Sequence, residues 1–120
     1  MSRAYAIDRL RTWARQAQHE AQEADTREDI LNWQGQAQVL GDVATFLAGP
    51  GAQIDDNEIW KQVVADRTRA IANWEREQEG PGAMFYAGMV AGYDFVVTTL
   101  ADVTGRNWTE ALRAEKWLNR

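Results

Sequence analysis

AMFYAGMVAGYDFVVTTLADVT, residues 83–104, carries an apolar or small side chain at nearly every position. Coiled as an α-helix it runs about 33 Å, the width of a small domain. A helix apolar on all sides is one that other elements cover. The stretch therefore predicts a buried central helix, with the remaining segments as its amphipathic covers. The same length spans a bilayer, but Asp94 and Asp102 lie inside it, and each would cost on the order of 2.5–3.5 kcal/mol near mid-membrane. With amphipathic covers available, the buried reading wins and no membrane partner is expected.

Working outward, Ile7, Leu10, Ala14, Ala17, Ala21 and Ala24 recur every three or four residues, which predicts a first helix from Arg3 to about Glu23. Thr26 as N-cap, with Asp29 three residues on, opens a second helix. Ile30, Leu31, Trp33, Ala37, Leu40, Val43, Ala44 and Leu47 form its stripe, and Gly49, Pro50 and Gly51 stop it. Gly35 and Gly41 inside it each cost about 1 kcal/mol against alanine, so close helix packing is expected at both. Asp55 and Glu58 open a third helix, with Ile59, Trp60, Val63, Val64, Arg67, Ala70, Ile71 and Trp74 inward. Gly80, Pro81 and Gly82 break the chain before the central helix, and Gly105 ends that helix. Asn107 with Glu110 caps a short terminal helix through Leu118. Within the central helix Gly88 and Gly92 are four apart and share a face, where close packing is again expected.

Length and composition narrow the function. The 120 residues suit one domain, residues 1–120, with 45% hydrophobic and 26% charged side chains as in ordinary globular chains. There is no cysteine, one histidine, and a single serine, Ser2. Disulfides, thiolate metal sites and cysteine nucleophiles are excluded, and a serine hydrolase nearly so. A net charge of −5 makes a phosphate backbone an unsuitable partner. The charged first residues leave no room for a signal-peptide core, and a cytoplasmic location is expected. Basic residues are almost all arginine, as in products of GC-rich genomes.

The order helix, polar tip, helix occurs twice at a spacing near 52 residues, pairing Ile7 with Ile59, Arg15 with Arg67, Glu23 with Glu75 and Asp42 with Asp94. So few identities do not establish a duplication, but two packed helical hairpins follow from the pattern. Leu31-Asn32-Trp33-Gln34-Gly35, followed by a leucine-bearing helix that stops at Pro50, resembles small helical-hairpin proteins encoded by bacteriophages. The resemblance covers about twenty residues. It implies a phage-encoded helical protein in the cytoplasm of a bacterial host, with no catalytic residues to carry over. The second hairpin departs from the pattern: Phe85-Tyr86-Ala87-Gly88 is only similar, and no proline follows Gly105.

Candidate chemistry is sparse. His19 and Glu23 share a helix face, but a zinc site needs at least a third ligand and there is no second histidine. The acids Glu20, Glu23, Glu28 and Asp29 at one tip, and Glu75, Glu77 and Glu79 at the other, admit a magnesium-dependent nucleotide phosphohydrolase. They sit at tips rather than mid-helix, without basic residues regularly paired for phosphate. An acidic nucleic-acid mimic would need acids along one continuous face, which the sequence does not require. Asp94 lines a stripe with Ala87, Ala91, Thr98 and Asp102, read as the helix's solvent edge. The sharper alternative is a buried carboxylate paired with Arg15 or Arg67.

Six tryptophans in 120 residues is high. Trp13, Trp33, Trp60 and Trp74 are expected to pack inward. Trp108 and Trp117 instead lie beside Arg106, Arg113, Lys116 and Arg120, a basic, aromatic end on an acidic protein. Tryptophan and arginine dominate protein–protein hot spots. The bland reading is a helix folded onto the chain's own acidic tips. The expectation is an all-α domain of two antiparallel hairpins plus a short terminal helix, acting without enzyme chemistry, metal or cofactor. It binds itself, as a homodimer with exchanged terminal helices, or another protein, through Trp108, Leu112, Arg113, Lys116 and Trp117.

Overall fold

The computed structural model describes residues 3–104. The expected terminal helix and its five candidate binding residues lie outside them. Four helices follow in order: α1 (Arg3–Glu23), α2 (Arg27–Ala48), α3 (Asp56–Arg76) and α4 (Ala83–Thr104). No strand occurs among the described residues, and the all-α, bundle-like architecture is the one expected. The caps act as read. The Thr26 hydroxyl accepts from the Asp29 backbone N–H at 3.1 Å, and Asp55 accepts from Asn57 N at 3.0 Å. Each satisfies an amide that the first helical turn leaves without a partner.

The hairpins α1–α2 and α3–α4 meet where α2 and α4 cross side by side, running parallel. A Cβ on Gly88 would fall on the Asn32 carbonyl, and one on Gly35 would fall on the Phe85 carbonyl. One on Gly92 would lie 2.9 Å from the Val39 Cβ. Glycine is required here because the two backbones touch. Gly41 is different: nothing lies within 4 Å of a Cβ placed there, so close packing explains Gly35 and not Gly41.

These contacts are reciprocal. The shift from Arg3 to Asp56 is 53 residues, and the same shift carries α1 onto α3, Asn32 onto Phe85, and Gly35 onto Gly88. Contact Gly35–Phe85 thus becomes contact Gly88–Asn32, and Val39–Gly92 becomes itself. Buried positions follow: Ala6 with Ile59, Leu10 with Val63, Ala17 with Ala70, Ala44 with Val97, Leu47 with Leu100. The internal register is 53, not the 52 suggested by surface identities, because packing fixes the buried positions and leaves the polar ones free.

The large, fully buried side chains Leu10, Val39, Leu40, Leu47, Val96 and Val97 gather in the half of the molecule that holds the α2–α3 loop and the end of α4. Arg3 closes that half. Its guanidinium donates to the carbonyls of Gly51 (2.9 Å), Ala52 (3.1 Å) and Ile54 (2.7 Å) and pairs with Asp56. The exposed Asp56 adds little, but charge-assisted bonds to carbonyls are the stronger kind. Arg3→Ala is expected to cost roughly 1–2 kcal/mol, read as a lower urea midpoint at unchanged slope.

In the opposite half α4 is touched closely by α2 but is less fully covered. Met84, Phe85, Tyr86, Ala87, Met89, Val90 and Ala91 on α4 are only half-buried. The central helix is therefore buried at its end and open at its start, which corrects the expectation of cover along its whole length. Trp60 is buried, but Trp74 is 36% and Trp13 39% exposed, so two of the four tryptophans expected inside reach solvent. Within α4, residues 83–103 are long and apolar enough to cross a membrane by length and composition alone.

Candidate functional site

Of the stripe read as the solvent edge of α4, Ala87, Ala91, Asp94 and Thr98 are half-buried and Asp102 is exposed. Asp94 also has a partner. Arg67 Nε donates to its carboxylate at 2.5 Å, with the arginine side chain 17% and the aspartate 46% exposed. Of the two arginines considered, Arg67 is the partner, because α3 packs against α4 there. The pair fixes α3 on α4 and leaves the carboxylate wet.

The acidic tips of both hairpins stand at one end of the molecule, since both turns lie where α1 and α3 finish and α2 and α4 begin. Glu23, Asp25, Glu28, Asp29, Glu75 and Glu79 are exposed there. The helices that meet there also carry the half-buried Leu31, Trp33, Ile71, Met84, Phe85, Tyr86 and Met89 and the more exposed Trp74. Phe85 and Tyr86 meet edge to face, with centroids 6.2 Å apart. This end of the molecule thus combines exposed carboxylates with half-buried apolar side chains. Among the described residues no three His, Asp or Glu side chains come together as a metal ion would require. His19 is exposed, and Glu20 accepts from Gln16.

Thr104 ends α4 at the other end of the molecule. The rise along α4 places it about 33 Å from Ala83 and the tips beyond it.

A second feature was not legible in the sequence. The backbones of α2 and α3 come nowhere within 8 Å of each other, whereas α1 does approach α4. On the α1–α4 side Trp13 packs on Phe95, ring centroids 4.6 Å apart. On the α2–α3 side a seam of about 220 Å³ stays open over Tyr93, lined by Val43, Phe46, Leu47, Ile59 and Val63 with Asp42 and Asp66. The 53-residue shift carries Trp13 onto Asp66 and Asp42 onto Phe95. Where one seam holds an aromatic pair, its counterpart holds two carboxylates. Asp42 accepts from Gln38 at 2.7 Å, and Asp66 pairs with Arg69. Burial pushes the Tyr93 phenol above its ordinary value; Arg69 pulls it down and Asp42 pushes it up. Tyr93 is thus a neutral floor at physiological pH.

Comparison with protein-family models, with curated proteins and with solved structures gives no match.

Proposed function

We propose that the chain is a small non-enzymatic protein-binding module that acts by self-association, the terminus of one copy meeting the open start of α4 on another. The observation that carries this reading is the half-exposure of Met84, Phe85, Tyr86 and Met89 at the end of the molecule where the exposed carboxylates also stand. Apolar surface of this kind is favourable to cover, at about 25 cal/mol for each Å² removed from water. The terminus has the complementary chemistry in Arg113, Lys116, Trp117 and Arg120. A different protein presenting a basic aromatic helix suits the same surface.

The partner in this reading is protein, not nucleic acid, given the net charge of −5, and not membrane, given the Arg67–Asp94 pair on α4. No cofactor is needed. The proposal includes the origin that the resemblance implies: a phage-encoded accessory or structural protein in a bacterial cytoplasm.

Light scattering tests it. The intact chain is expected to dimerise at high micromolar concentration, and a chain ending at Gly105 to stay monomeric. Trp117→Ala is expected to weaken the dimer on the order of tenfold or more, as loss of an aromatic anchor does. A monomeric intact chain at that concentration overturns self-association.

A further inference from the structure

We infer that α1 carries a second self-association contact: its stripe Tyr5, Arg9 and Trp13 docks on Trp74, Glu75 and Glu79 of another copy laid antiparallel. This rests on the reading of the chain as self-associating. To the contact of the terminus it adds one made wholly by the helical body.

Exposure singles out the two patches. Three large hydrophobic side chains are exposed among the described residues: Tyr5 at 42%, Trp13 and Trp74. Tyr5 and Trp13 stand four residues either side of Arg9, so the three form one stripe of α1. Trp74 stands at the acidic end, followed by the exposed Glu75 and Glu79. Tryptophan, tyrosine and arginine are the residue types of interface hot spots. One aromatic patch thus carries a cation and the other carries carboxylates. They cannot meet within one copy, since Arg9 lies fourteen residues before the end of α1, about 21 Å from the tips.

Arg9 also lacks an acid of its own. The ion pairs among the described residues are Arg3–Asp56, Lys61–Glu58, Arg67–Asp94 and Arg69–Asp66. Arg9 instead donates through one Nη to the Tyr5 hydroxyl at 2.8 Å, and its Nε is buried without an acceptor. A guanidinium is a planar fork of donors matched to a carboxylate. A carboxylate from another copy draws that fork outward and supplies the acceptor. Arg11 and Arg15 are exposed further round α1, and Asp8 is the only acid between residues 3 and 19. The field of α1 there is therefore positive, and it steers acids toward Arg9.

Both patches border the same edge of α4. Trp13 packs on Phe95. Arg67, two turns before Trp74 on one face of α3, bonds to Asp94, the neighbour of Phe95. Along that edge α4 carries the small Ala87, Ala91 and Thr98, which let a partner lie flat. A second copy turned end for end on this edge brings each aromatic stripe to the other's acids. The same contact is then made twice, as a two-fold interface requires.

Charge exchange in the full chain, read by light scattering, tests this. Arg9→Glu, and separately Glu75→Arg with Glu79→Arg, are each expected to weaken self-association at least about tenfold, because both contacts of the dimer then oppose like charges. Mixed together, the two variant chains are expected to pair with the parent's affinity, since every contact again opposes unlike charges. That recovery also shows that both variants fold. Tyr5→Ala is expected to weaken the dimer on a similar scale. Lys61→Glu, the same charge change on the opposite face of α3 from Trp74, is expected to leave it unchanged. An Arg9→Glu chain that associates like the parent, or a mixture no tighter than its parts, overturns the assignment. The chain ending at Gly105 separates the two contacts. If Arg9→Glu weakens the dimer and truncation does not, the α1 contact stands and the terminal one falls. If truncation abolishes the dimer and Arg9→Glu changes nothing, the reverse holds. A monomeric intact chain overturns both.

Discussion

Gly88→Ala is expected to destabilise the protein by about 3 kcal/mol, although alanine is the better helix former. The added Cβ would fall on the Asn32 carbonyl, and that atom is backbone, so no rotamer change relieves the clash. α2 and α4 must separate, and the crossing is where the two hairpins meet. Gly35→Ala meets the Phe85 carbonyl and lies 2.9 Å from the Met89 amide, so it should behave alike. Gly92→Leu brings its Cβ to 2.9 Å from the Val39 Cβ, an atom held to the backbone, and roughly 1–3 kcal/mol is expected for overpacking. Gly41→Ala is the internal control. It sits in the same helix with nothing within 4 Å, and should stabilise by roughly 0.5–1 kcal/mol. Urea unfolding of the four variants checks both signs. Equal midpoints for Gly88→Ala and Gly41→Ala would mean that α2 and α4 do not touch.

This contrast marks what the sequence can and cannot say. Helix boundaries were legible because their signals are local: Thr26 with Asp29, Asp55, and the break at Gly49, Pro50 and Gly51. The extent of α4 was legible for the same reason. Which glycine meets a neighbour was not, since Gly35 and Gly41 look alike along the chain. Nor was the fate of Trp13 and Trp74. Both sit beside inward positions on their helices, but burial depends on what the neighbouring helix sets against them: Trp13 has Phe95 on one side and solvent on the other. Asp94 shows the middle case. Its need for a cation was readable and two arginines were named, but choosing Arg67 required knowing that α3, not α1, lies on that side of α4.

The candidate site divides in the same way. The basic aromatic terminus is a property of the chain and was readable as such. The seam is a property of the packing. Asp42 and Asp66 lie on different helices, and neither signals the other in sequence. They become a pair only when α2 and α3 stand apart over Tyr93. Their correspondence with Phe95 and Trp13 depends on the 53-residue register, which buried positions set and surface identities obscured.

Leu47→Ala is expected to cost about 2–5 kcal/mol, and Trp74→Ala, which removes far more atoms, well under that. Leu47 is fully buried in the half closed by Arg3 and the α2–α3 loop, in one cluster with Leu40, Ile59 and Leu100. Removing its side chain leaves a cavity that tightly packed neighbours cannot collapse into. Trp74 is 36% exposed, so part of its surface is already in water. Its contribution to folding is correspondingly small, while its exposure near the end of α3 puts it at the end of the molecule proposed to meet a partner. The expected pattern is thus a crossover. Leu47→Ala lowers the thermal midpoint strongly and weakens self-association only through the loss of folded protein. Trp74→Ala leaves the midpoint within a few degrees and lowers self-association directly. Calorimetry and light scattering on both variants read the two columns. If Trp74→Ala instead melts like Leu47→Ala, the two halves form one equally tight core, and the open start of α4 is not a surface awaiting a partner.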